Sequence, residues 1–104
     1  MPEPQWAPPE TARVDAPADA SYPFALRLGS LPSRDQAIAE WERLQVLHPE
    51  LLTGRELALE TRRYADGRIR YRVQTGRFRA RDAAQRACAG FWRVGEPCMV
   101  VIRR

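Results

Sequence analysis

Two stretches of this chain repeat one another at a spacing of 47 residues, and that repeat constrains the fold more than any other feature. Gly29, Arg34, Asp35 and Ala37 return as Gly76, Arg81, Asp82 and Ala84, while Phe24, Leu26, Leu31 and Leu44 face Tyr71, Val73, Phe78 and Phe91. Identity is kept at a glycine and at the start of a helix, and only apolar character is kept where side chains pack. Each copy reads as one strand–helix–strand unit, so the chain is two such units in series.

The local patterns support this order. From Tyr22, apolar residues alternate through Phe24, Leu26 and Leu28, the period of a strand with one buried face, and Gly29 is expected to end it. Ser33 precedes Gln36 at capping-box spacing, and Ala37, Trp41, Leu44 and His48 recur at helical intervals, which predicts a helix over 33–48 stopped by Pro49. Leu51 and Leu52 are expected to fold back onto the core. Residues 55–64 and 68–75 alternate again around Ala65-Asp66-Gly67, a hairpin turn in which glycine takes positive φ at little cost. Ala84, Cys88, Phe91 and Val94 share one face of a second helix over 81–94, and residues 97–102 form a last short strand. Trp41 and Trp92 are expected in or at the edge of the core. The resulting class is α+β, a ferredoxin-like or RNP-like βαββαβ sandwich: a four-stranded antiparallel sheet with two helices on one face.

Alternation then assigns the sheet's faces. With Leu26, Leu28, Leu57, Leu59, Tyr71 and Val73 turned to the helices, Arg27, Ala58, Glu60, Arg62, Arg70, Arg72 and Gln74 stand on the open face. On the last strand Cys98, Val100 and Ile102 are expected inward, and Met99 and Val101 outward. Arginine dominates the open set, and its planar fork of donors matches carboxylate or phosphate oxygens. On the third strand Arg68, Arg70 and Arg72 would form a row spaced by roughly 7 Å, suited to a repeating anionic polymer.

Composition narrows the chemistry. All 17 basic residues are Arg, and the 104 residues carry a formal net charge of +4. Residues 1–20 hold one Arg against Glu3, Glu10, Asp15 and Asp19, together with five of the nine prolines. They are expected to be an extended linker, with 21–104 as the folded, basic domain. With one His and two Cys, a metal centre is not expected, because a closed site needs several ligands; no cofactor is expected either. His48 lacks partners in triad order and reads as a helix C-terminal residue, so no enzyme is expected. Cys88 and Cys98 either stay as two buried thiols or, in an exported chain, form a disulfide between the second helix and the last strand. No stretch approaches the roughly 18 to 20 apolar residues of a membrane span, and residues 1–20 lack the apolar segment of a secretory signal. The chain is read either as cytosolic or as part of a longer exported protein.

A family resemblance enters through particular residues. Phe24-Ala25-Leu26-Arg27-Leu28-Gly29-Ser30-Leu31 precedes one helix, and Tyr71-Arg72-Val73-Gln74-Thr75-Gly76-Arg77-Phe78 precedes a second containing Ala84 and Cys88. Cys98-Met99-Val100-Val101 follows. Together these resemble the SPOR (sporulation-related repeat) domain over residues 22–103. The resemblance implies a non-catalytic module for peptidoglycan glycan strands stripped of their stem peptides. It would be borne by a membrane-anchored or exported cell-envelope protein that gathers, with division proteins, at the septum. Carried over by position, the contact residues are Arg27, where the family usually has Gln, Ser30, Arg70, where it often has an aromatic, Arg72 and Met99. Gln74 joins them as a hydrogen-bonding side chain for N-acetyl and hydroxyl groups.

Two other readings share this topology. RNA-recognition domains stack bases on aromatics of the central strands, but here the outward central positions are Arg27, Arg70, Arg72 and Gln74, so nucleic acid is not expected. A protein-interaction module would use apolar surface at Leu51, Leu52 or Met99. A monomer is the expected state.

Overall fold

The computed structural model describes residues 21–103; the proposed linker over 1–20, with Trp6, lies outside them. The elements run β1 (Phe24–Leu31), α1 (Arg34–Leu47), α2 (Pro49–Leu52), β2 (Leu57–Arg63), β3 (Ile69–Phe78), α3 (Arg81–Arg93) and β4 (Met99–Ile102). The strands form one antiparallel sheet in the order β2-β3-β1-β4, the α+β arrangement that the repeat implies. Leu51 and Leu52 end the short helix α2, and Leu52 is buried.

The core lies between the sheet and one layer of helices. Leu26, Leu28 and Val73 from the central strands meet Ala37, Trp41 and Leu44 of α1, Leu52 of α2, and Ala84, Cys88 and Phe91 of α3. Ser33 caps α1 as its spacing indicates, accepting a hydrogen bond from the Gln36 amide at 3.1 Å. In the β2–β3 turn Gly67 has φ +91°, and Asp66 accepts from the Arg68 amide at 3.0 Å. Cys88 and Cys98 are joined in a disulfide with Cα atoms 5.5 Å apart, tying α3 to the start of β4.

Two β-bulges shape the central pair of strands. Between the pairs Arg27–Gln74 and Gly29–Val73, β1 carries one residue more than β3; between Leu26–Thr75 and Phe24–Phe78, β3 carries one more than β1. Both strands therefore run on past the glycines that alternation alone places at their ends. Gly76, in the second bulge, has φ +86°. The first bulge has a functional consequence. Strict alternation from Arg27 would turn Ser30 toward the helices, but the extra residue brings Ser30 opposite Arg72, on the same face as Arg27.

Several expected core positions lie elsewhere. Trp92 is 61 % exposed and Val94 is exposed: Phe91 is the residue that the last turn of α3 turns into the core, Trp92 lies about 100° further round the helix, and Val94 follows its last residue. Ile102 is also exposed, since β4 is an edge strand and its last residue pairs only with Phe24. Leu52, one of the positions proposed for a protein-interaction surface, is instead part of the core.

Candidate functional site

The sheet face away from the helices is built from the register outward. Partner positions in antiparallel strands share a face, so Arg27–Gln74, Ser30–Arg72, Ala58–Gln74, Glu60–Arg72 and Arg62–Arg70 define it, with Arg27–Met99 and Ala25–Val101 extending it onto β4. All six sequence-nominated contact residues, Arg27, Ser30, Arg70, Arg72, Gln74 and Met99, are brought together on this one surface. Among the described residues paired across this face, four arginines share it with one carboxylate, that of Glu60.

These side chains are held, not loose. Arg70 donates through Nε to Ser30 Oγ at 3.2 Å and through Nη2 to the Ser30 carbonyl oxygen, linking β3 to β1 across the face. Arg27 Nη2 lies 3.1 Å from the Met99 sulfur. Arg72 donates to Glu60 Oε1 at 3.2 Å, and Gln74 Nε2 donates to the same oxygen at 3.1 Å. Gln74 is buried, so its amide serves the face from beneath, and Met99 projects into solvent.

One open-face aromatic escaped the sequence reading. Tyr64 follows β2 and pairs with Arg68, its amide donating to the Arg68 carbonyl at 2.8 Å. Continuing the alternation of Ala58, Glu60 and Arg62 by one step places the Tyr64 ring at the hairpin end of the arginine face. There the neighbouring Arg72 guanidinium holds the phenol below its ordinary pKa, while the Arg72 guanidinium is itself raised, first by the phenol and then by Glu60. The Arg68 guanidinium sits 6.0 Å from the ring centroid. The signal was available in the sequence as the fourth member of a period-2 series.

A second polar cluster lies away from this face. Arg43 of α1 grips Glu96, in the loop before β4, with Nη2 to Oε1 at 2.8 Å and Nη1 to Oε2 at 3.1 Å, and also holds Glu40. The His48 ring meets Glu96 Oε2 at 3.1 Å. Arg43 first, with His48 after it, lowers the Glu96 pKa against the raising effect of burial. His48 also donates its amide to the Leu44 carbonyl at the C-terminal end of α1. Among the described residues, no cluster of three or more His, Cys, Asp or Glu could hold a metal ion, and no helix is long and apolar enough to cross a membrane.

Comparison with known proteins bears on the whole folded part. The solution structure of the peptidoglycan binding domain of the B. subtilis cell wall lytic enzyme CwlC is similar in fold, with a TM-score of 0.55 at 17 % identity, over 90 % of this chain and 100 % of that one. No curated protein matches the chain. The SPOR domain family model matches residues 20–101, which include every strand of the sheet but for the final residue of β4, and the arginine face with it. On that match, the chain belongs to the SPOR domain family.

Proposed function

We propose that this domain binds peptidoglycan glycan strands on the open face of its sheet without catalysing a reaction on them. It prefers strands denuded of stem peptides, and it delivers a longer cell-envelope protein to the division septum. The observation that carries this reading is the convergence of Arg27, Arg70 and Arg72 from adjacent strands on a surface that no helix among the described residues covers. Family membership and the likeness to a domain described as peptidoglycan binding support the ligand class.

The preference for denuded strands follows from charge. Removal of the stem peptide frees a lactyl carboxylate on every second sugar, so a bare strand is a polyanion; a substituted strand presents amides and a bulky branch. Arginine forks bind the first by charge-assisted hydrogen bonds and gain less from the second. Each exposed pair contributes only about 0 to 1 kcal/mol, so retention requires several pairs together and weakens with salt.

Sedimentation with purified sacculi, before and after amidase removal of stem peptides, tests the proposal. Retention is expected to rise after amidase treatment and to be lost in an Arg70→Glu, Arg72→Glu double variant that remains folded. Equal retention on both kinds of sacculi overturns the preference, and retention by the double variant overturns the site.

A further inference from the structure

One carboxylate oxygen on the arginine face is the meeting point of two donors. Glu60 Oε1 accepts from Arg72 Nη1 at 3.2 Å and from Gln74 Nε2 at 3.1 Å. The donors lie deep and the acceptor does not: Gln74 is 6 % exposed, the Arg72 side chain 17 % and the Glu60 side chain 50 %. A buried amide and the guanidinium of a mostly covered side chain thus meet at one spot on the surface. The group filling that spot reaches it from the solvent side of the edge strand β2.

We infer that Arg72 and Gln74 form a carboxylate seat, that Glu60 is its internal occupant, and that the carboxylate of an acidic sugar displaces it. The buried Gln74 amide carries a penalty if left without an acceptor, which gives the unliganded domain a reason to supply its own. Exchange of one carboxylate for another conserves both hydrogen bonds. Glu60, half exposed already, can turn into solvent without unfolding anything. After exchange its negative charge remains beside the incoming anion. Glu60 therefore limits affinity and keeps the seat closed to weaker, uncharged acceptors, since charge-assisted bonds are the stronger kind. The identity of the acidic sugar rests on the glycan-binding reading; the geometry of the seat does not.

The test follows the Gln74 side-chain amide by NMR during titration with N-acetylmuramic acid, which carries the free carboxylate, and with N-acetylglucosamine, which lacks it. The Gln74 resonances are expected to move with the acid sugar only. In Glu60→Ala, half-saturation is expected at a concentration lower by about threefold to fivefold. Glu60→Gln, which keeps the side chain's shape and drops its charge, is expected to shift the same way. An unmoved Gln74 amide, or the same half-saturation in wild type and both variants, overturns the inference. Sacculus retention measured in parallel separates the two claims: retention with an unmoved Gln74 amide removes the seat and leaves glycan binding standing. A moved amide without retention keeps the seat and removes peptidoglycan as its target.

Discussion

Arg70 holds Ser30 twice, at the hydroxyl through Nε and at the carbonyl through Nη2, although the register partner of Ser30 is Arg72. The guanidinium crosses diagonally between the central strands and fixes its own orientation by doing so. Its charge stays on the face while two of the nitrogens of its fork, Nε and Nη2, are committed to Ser30.

That double contact distinguishes shape from charge at position 70. Arg70→Lys keeps the charge, but a single ammonium cannot reproduce the fork's geometry. The variant is expected to fold and to be released from denuded sacculi at lower salt, with affinity reduced by about threefold. Release at the wild-type salt concentration would show that only the charge matters.

The Glu96 clamp predicts a pH dependence of stability. Because Arg43, and after it His48, hold the folded carboxyl below its ordinary value, the clamp's contribution is present in full above the unfolded pKa of about 4.3 and is lost as pH falls through the lower folded value. Glu96→Gln should lower stability at pH 7 by about 1 to 2 kcal/mol, a figure kept small because Arg43 is partly exposed. In urea denaturation, the difference between wild type and variant is expected to shrink as the pH is lowered below about 4. A difference independent of pH would assign the loss to packing rather than charge.

The two glycines matched by the repeat are not equivalent in the fold. A Cβ on Gly76 would lie 2.6 Å from Phe78 Cε2, on a backbone at φ +86°, whereas one on Gly29 would meet nothing closer than 3.6 Å and faces no positive φ. Gly76→Ala is expected to destabilise by about 2 kcal/mol, and Gly29→Ala by less than about 1 kcal/mol. Thermal melts of the two single variants provide the comparison, and equal shifts would contradict it.

The disulfide closes a short loop between buried sulfurs, with a sequence separation of 10. Reduction, or the Cys88→Ala, Cys98→Ala pair, is expected to remove about 2 to 3 kcal/mol of stability by enlarging the unfolded ensemble. Guanidinium titrations with and without reductant measure this directly. Coincident curves for the wild type would show that the bond adds nothing.

Local periodicity carried much of this protein's architecture. The 47-residue repeat, the Ser33 capping box and the period-2 runs on β2 and β3 determine the element order and place Glu60, Arg62, Arg70, Arg72 and Gln74 on one face. Periodicity succeeds there because those strands pair without interruption from Leu57 to Arg63, and each residue's facing depends only on its neighbours.

Tertiary structure decided the rest. A bulge is a mismatch between two strands, so nothing within β1 alone announces the extra residue that turns Ser30 to the open face. The seat shared by Glu60, Arg72 and Gln74, the grip of Arg43 on Glu96 and the exposure of Trp92 all depend on residues brought together from distant parts of the chain. Alternation sorts side chains into two faces, whereas only the packed register determines which of them meet.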